Sequence, residues 1–263
     1  MCHLVRLVLF FLCLCAAPAL ASDRLTFSTG GIARFPNSQQ DDDTGNAMIE
    51  AWAKANYAFG PQGLSFFLRG KFISDSVQYD YNNAQTLGVG LAYKLKMGKD
   101  SSLTFTLRHD WYERYHSGSH EKGWRFLIDY FYIDFQKVDA GARMWGLPHD
   151  ATLFKIWANL TYPDTLSDGD HNIVVTSGAE YAARLDLPGN KWQLSPFVAL
   201  NLSWDKDDNS YNNKLQPGLG VKLRWPLPGG DIHAGVRYRG DYRWGSGSFE
   251  HGPGLFVGWY SSF

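Results

Sequence analysis

The sequence has little cysteine, and all of it lies near one end. The three cysteines are Cys2, Cys13 and Cys15 in a chain of 263 residues. Residues 22–263 therefore offer no disulfide framework, no thiol nucleophile and no cysteine-based metal site. The sequence also contains no His-Glu-x-x-His zinc motif, P-loop or dinucleotide fingerprint, so we expect no metal and no cofactor.

A long apolar segment and an excess of positive charge are also missing. After residue 21, no uncharged apolar run approaches the roughly 20 residues that a membrane-spanning helix needs. Lys and Arg total 25 against 26 Asp and Glu, which leaves no basic excess to neutralise nucleic-acid phosphates. The composition thus excludes a helical membrane bundle and argues against a nucleic-acid partner.

The first 21 residues are predicted to be a signal peptide. Arg6 provides a positive start, Leu7–Cys15 form a short apolar core, and Ala19-Leu20-Ala21 is an A-x-A cleavage site. We therefore expect a signal peptide over 1–21 and one exported domain over 22–263.

Apolar and polar residues alternate with period two through most of the chain. The clearest runs cover residues 87–96, 103–112, 215–225 and 232–243. Such alternation predicts strands with one apolar and one polar face. The runs last about ten residues or more, the length that crosses an outer membrane when a strand is tilted. Aromatic residues cluster at the run ends, as in the interfacial girdles of membrane barrels.

Over residues 22–263 the sequence resembles a Gram-negative outer-membrane β-barrel. Its last alternating run consists of Leu255, Val257, Trp259, Ser261 and Phe263. The last strand of such barrels commonly ends in Phe. The resemblance implies an all-β fold, a single transmembrane antiparallel barrel in the cell outer membrane, surrounded by outer-membrane lipid and lipopolysaccharide.

The number of strands is predicted to be twelve. Thirteen strand-like segments can be drawn, but single-chain bacterial barrels have an even number of strands. The alternation loses its phase between Tyr130 and Asp134. We therefore predict that residues 123–147 form one strand with a bulge and an irregular tail rather than two strands.

The connections alternate between short and long, which predicts the orientation of the barrel. In this class the short turns face the periplasm and the long loops face the cell exterior. We therefore expect residues 75–85 and 205–214 to be accessible at the cell surface, and residues 60–62 and 228–230 to be inaccessible.

The polar face of the strands, which would line the lumen, is rich in basic residues. The candidate pore-lining, anion-binding residues are Arg69, Lys71, Lys94, Arg108, Arg125, Lys222, Arg224, Arg237, Arg239 and Arg243. The acids on the same face are Glu50, Asp110, Asp129, Glu180, Asp186 and Asp241. The excess predicts a cationic pore that attracts anionic solutes. The alternative is that Arg–carboxylate pairs simply close a small barrel.

Two adjacent strands, 214–227 and 230–244, carry the densest part of this charge, and we expect Asp241 to be their only inward acid. Aromatic residues are also predicted to face inward, where they would stack on sugar rings or merely fill space. They are Trp52, Phe67, Trp157, Phe197 and Tyr260.

One polar group near the end of a strand could suggest catalysis. It contains His109, Asp110, His116, Ser117, Ser119, His120 and Glu121. It resembles the Ser–His rim sites of outer-membrane lipid hydrolases, for which the candidates here would be His116, Ser117 and Ser119. The His-x-Ser-Asn core of those enzymes is absent, and a polar loop with two histidines is the commoner explanation.

Three functions remain open at this point. In size, charge pattern and lack of cysteine, residues 22–263 resemble the small monomeric porins that are specific for acidic oligosaccharides. The part from Leu215 onward also resembles the terminal barrels of exopolysaccharide-export and phage-adsorption proteins. The first hypothesis is a channel for an anionic saccharide, acting in uptake or together with polysaccharide-export machinery. The second is a phospholipase or lipid A deacylase. The third is a plugged structural or receptor barrel.

Overall fold

A computed structural model describes residues 23–36, 45–60, 63–77, 83–139, 141–164, 166, 171–189, 191–207 and 212–263. The predicted signal peptide, residues 1–21, lies outside these ranges. No helix in the described part of the chain is long and apolar enough to span a membrane.

The described residues form twelve long strands and one strand of two residues. The strands are β1 (Leu25–Phe35), β2 (Met48–Ala58), β3 (Leu64–Asp75), β4 (Ala84–Lys96), β5 (Ser101–Arg114), β6 (His120–Lys137), β7 (Arg143–Met144), β8 (Leu147–Tyr162), β9 (Val174–Asp186), β10 (Gln193–Asp205), β11 (Lys214–Leu227), β12 (Gly230–Arg243) and β13 (Ser248–Ser262).

The sheet closes on itself. Long strands that follow one another in the chain pair antiparallel, and β1 also pairs with β13 from Ser28↔Ser262 to Phe35↔Leu255. The β6–β8 ladder completes the circle. A closed barrel satisfies every backbone group within the sheet and has no free edge, which the hydrocarbon core of a membrane requires. The prediction of a twelve-stranded barrel is confirmed.

The segment 123–147 contains one long strand, as predicted, but its bulge lies elsewhere. β6 pairs with β8 without interruption from Phe126↔Tyr162 to Lys137↔Ala151. The irregularity is a register shift between His149 and Ala151, in the β8–β9 ladder. The tail after β6 is not wholly irregular, because β7 pairs with the start of β8.

The alternation of apolar and polar residues is lost near Tyr130 because of the residue types in β6, and not because the pairing of β6 shifts. Arg184 lies over the ring of Phe135, at 4.6 Å from its centroid, so Phe135 faces the lumen. Phe131 and Ile133 share that face by strand parity, whereas Tyr132 on the other face packs against Phe154. Over residues 130–133 both faces of β6 therefore carry apolar or aromatic side chains, and alternation disappears from this part of the sequence although the strand continues.

The apolar side chains lie mainly on the outside of the barrel. Leu219 is 60% exposed and Leu255 is 58% exposed, whereas Asp110 and Asp241 are 0% exposed. This distribution is the reverse of that in a water-soluble protein, where such carboxylates are rarely buried. Trp111, Trp124 and Trp204 add large exposed rings near the long-loop end. The molecule is therefore a closed transmembrane β-barrel of the kind found in outer membranes.

The orientation of the barrel can be tested by cysteine labelling. Val77→Cys and Lys206→Cys, near the long loops, should react with a membrane-impermeant maleimide on intact cells, because both positions are exposed. Lys99→Cys, in a short turn, should react only after the outer membrane is permeabilised. Residues 22–263 contain no competing cysteine. Labelling of Lys99→Cys alone on intact cells would reverse the orientation.

Candidate functional site

The ten candidate basic residues all lie on the inward face of their strands. On β12, Arg237 and Arg239 alternate with Val236 and Tyr238, whose side chains are exposed on the outside. On β4, Lys94 shares the inward face with Gly88 and Gly90 and is exposed at the short-turn end. All ten therefore lie on the face of the sheet that lines the lumen.

The first cluster of charges is centred on Glu50 in β2. Its Oε1 lies 3.1 Å from Lys71 Nζ on β3, and its Oε2 lies 3.9 Å from Arg34 Nη2 on β1. One carboxylate thus connects cations on both neighbouring strands.

The second cluster is centred on Asp110 in β5, which is completely buried. Arg108 Nε lies 2.6 Å from Oδ1, and Arg125 Nε of β6 lies 3.7 Å from Oδ2. Gly88 on β4 leaves the space for this carboxylate, since a Cβ there would collide with Asp110 Oδ1. The glycine therefore has a packing role in the inner wall.

The third cluster joins three strands through Glu180 in β9. Its Oε1 lies 3.2 Å from Lys155 Nζ on β8 and 2.7 Å from Lys222 Nζ on β11. The intervening strand β10 places Ala199 opposite Glu180. Because alanine is small, the carboxylate can reach across β10 to Lys222.

The prediction that Asp241 is the only inward acid on β11 and β12 is wrong. Asp231, at the start of β12, has the same parity and pairs with Arg224 and with His233 Nδ1, the latter at 2.7 Å. Strand parity could have identified Asp231, but its position beside the turn hid it. Lys214 also has inward parity on β11 and was not among the candidates.

Other charged residues of β12 contact an aromatic ring or an amide group. Arg237 stacks over the ring of Phe256 at 5.8 Å from the centroid. Asp241 accepts a hydrogen bond from Gln216 Nε2 at 3.1 Å. Among the described carboxylates, none forms an ion pair with Arg237.

A polar cavity of about 490 Å³ opens into the lumen beside β2–β6 and β8. Five cations line it, namely Lys54, Arg69, Lys71, Arg108 and Arg125. Its wall also carries Trp52 and the acids Asp110, Asp129 and Asp164. Four of the ten candidates are thus brought into one cavity, while those of β11 and β12 line the opposite part of the wall.

Some of the inward aromatic residues fill space within the wall, and others are exposed to the lumen. Phe67 is buried, and the ring of Trp157 packs so closely on Gly178 that a Cβ there would collide with it. Tyr260, by contrast, is 47% exposed within the wall near the short turns. Phe131, which the sequence prediction missed, is 42% exposed on the same face of the barrel.

In the polar group singled out from the sequence, His109 and Asp110 lie on opposite faces of β5. His109 packs between Trp111 and Trp124 on the outside, at ring-centroid distances of 4.6 and 5.1 Å, whereas Asp110 faces the lumen. Ser117 Oγ donates to Ser119 Oγ at 3.1 Å in an exposed loop.

No group of three or more His, Asp or Glu side chains suited to a metal ion occurs among the described residues.

The chain matches no protein-family model and no curated protein. Among solved structures, the β-domain of the Bordetella autotransporter BrkA has 12% identity and a TM-score of 0.42, over 91% of this chain and 99% of that one. The transport unit of the autotransporter AIDA-I from Escherichia coli has 13% identity and a TM-score of 0.44, over 93% and 92%. The KdgM porin in complex with disordered oligogalacturonate has 9% identity and a TM-score of 0.40, over 90% and 99%. Similarities this distant transfer no function to this chain.

The Asp110 cluster makes a prediction about stability. Asp110→Asn should lower the free energy of unfolding by about 3 kcal/mol, because it leaves the buried guanidinium of Arg108 and the half-buried guanidinium of Arg125 without their counter-charge. Urea unfolding in lipid vesicles would measure the loss. The control is Glu121→Gln, which removes a carboxylate from the more exposed pair with Arg114 and should cost about 1 kcal/mol or less. Equal losses in the two variants would contradict this role of Asp110.

Proposed function

We propose that this protein is an outer-membrane channel for anionic saccharides, of oligosaccharide or polysaccharide length. The observation that carries the proposal is that cations outnumber carboxylates in the charge clusters of the inner wall. Glu50, Asp110 and Glu180 each contact two cations. Since one carboxylate neutralises one cation, each cluster retains a net positive charge.

The position of this charge favours anion attraction. The cations line a lumen whose wall has a low dielectric constant, and such a geometry focuses the electrostatic field and concentrates counter-ions. Arg237 adds a cation without a carboxylate partner among the described residues, and Arg239 and Lys214 lie on the same part of the wall.

The chemistry of the wall suits acidic sugars in particular. Arginine presents paired donors that match a carboxylate. Exposed inward rings such as Phe131 and Tyr260 offer flat apolar surfaces against which a sugar ring can lie. A lumen with cations alone would attract any anion, whereas this combination of cations with exposed aromatic rings favours a saccharide acid.

The channel can be tested by ion selectivity in planar bilayers. The wild-type protein should prefer anions, and Arg237→Gln/Arg239→Gln/Arg243→Gln should lower the anion-to-cation permeability ratio severalfold, because it removes three positive charges from the wall. The preference should weaken at high salt, since screening acts over about 8 Å at physiological ionic strength.

The matched control is Lys99→Gln/Lys122→Gln/Lys191→Gln, which removes two charges from exposed positions at short turns and one from the outside of the barrel and should leave selectivity unchanged. Heat-modifiable electrophoretic migration checks folding, and the single variant Arg237→Gln provides a milder test. A folded wild-type barrel without conductance, or with cation preference, would refute the channel and favour the plugged receptor.

A further inference from the structure

Three pairs of inner-wall cations face each other directly across neighbouring strands. They are Lys54↔Arg69, Arg108↔Arg125 and Lys214↔Arg243. Like charges at directly opposed positions of an antiparallel sheet repel each other and destabilise the ladder. Such a pair is therefore expected to have an acid close to it.

Two of the three pairs have such an acid. Asp110 contacts both Arg108 and Arg125, and Asp241 lies two residues before Arg243 on the same face of β12. The acid next to these cations offsets their mutual repulsion.

The pair of Lys54 and Arg69 differs. Neither forms an ion pair with any carboxylate in the described part of the chain. Lys54 Nζ instead lies over the ring of Phe67, 4.3 Å from its centroid. Asp129, an acid of the same cavity, already accepts a hydrogen bond from Asn159 Nδ2 at 2.7 Å. Asp110, Glu50 and Asp129 attract Arg69, and Asp129 attracts Lys54, but all from beyond ion-pair distance. The repulsion between Lys54 and Arg69 is therefore only partly offset within the protein.

We propose that the transported solute supplies the ion-pair partner that Lys54 and Arg69 lack, and that the carboxylate of a sugar acid binds between them. This proposal rests on the proposed channel function and names one binding site within it. Arg69 can donate two parallel hydrogen bonds to the carboxylate, and Lys54 adds a point charge beside it.

The rest of the cavity suits a sugar ring. Its volume of about 490 Å³ lies within the range of roughly 300–1,000 Å³ that is usual for small-molecule sites. The ring of Trp52 lines one side. On another side Thr161 Oγ1 donates to Asn159 Oδ1 at 2.8 Å, which places a hydroxyl and an amide group where sugar hydroxyls can bond.

The acids of the cavity favour a carboxylate over a phosphate. Asp110, Asp129 and Asp164 all line it. Each added negative charge on the ligand is repelled by these carboxylates. A sugar acid brings one negative charge, whereas a sugar phosphate brings close to two at neutral pH.

The experiment is calorimetric titration of the purified full-length barrel in detergent with D-glucuronate, D-glucose and D-glucose 6-phosphate. Glucuronate should bind at one site, more tightly than the phosphate, and glucose should not bind measurably. Lys54→Gln/Arg69→Gln should weaken glucuronate binding by about tenfold or more, as expected when charged hydrogen bonds are lost. Lys54→Arg keeps the charge and should retain most of the affinity.

The control variant is Lys96→Gln/Arg184→Gln, which removes two inner-wall cations outside the cavity and should bind glucuronate as the wild type does. Glucuronate binding that is unchanged in folded Lys54→Gln/Arg69→Gln would overturn the site, and tighter binding of the phosphate would overturn the carboxylate assignment. An anion-selective barrel that does not bind glucuronate would also overturn the site while leaving the channel intact. If the wild-type barrel shows no anion selectivity, the channel proposal itself is refuted.

Discussion

Sharing of one carboxylate between two cations is the interaction on which the inner wall depends. Glu50 and Glu180 connect cations from strands on either side of their own, and Asp110 connects Arg108 of its own strand with Arg125 of the next. Buried charges are costly unless they are paired, so these contacts allow the wall to hold many cations. The same sharing leaves every cluster with net positive charge. Stability of the barrel and attraction of anions thus follow from one arrangement.

The outer surface imposes the second constraint. Lipid requires apolar side chains outside and complete backbone pairing, so polar groups and large inward rings must fit into the narrow interior. Small residues make this possible at particular points: Gly88 admits the carboxylate of Asp110, Gly178 admits the ring of Trp157, and Ala199 lets Glu180 reach Lys222. The glycines that break up the polar face of the strands in the sequence are therefore part of the packing of the inner wall.

Strand parity predicted most of the fold and the inward position of all ten candidate cations. Its failures have physical causes. The bulge was assigned to the wrong strand because both faces of β6 carry apolar or aromatic side chains over residues 130–133, which removes the periodic signal. Asp231 was missed beside a turn, although its parity was readable. The sharing of acids could not be predicted, since it depends on which strands neighbour one another and on a small residue such as Ala199 between the partners. For the same reason, the lack of an ion-pair partner for Lys54 and Arg69 became visible only in the closed barrel.

The central claim is that the inner wall attracts anions because its cations outnumber the carboxylates they share. The most direct measurement is the position of ions in crystals of the protein prepared in sodium bromide and, separately, in rubidium chloride. Anomalous scattering should show bromide at the inner wall, beside Lys54 and Arg69 and beside Arg237, and no rubidium there. Ordered rubidium at these positions, with no bromide, would contradict the account.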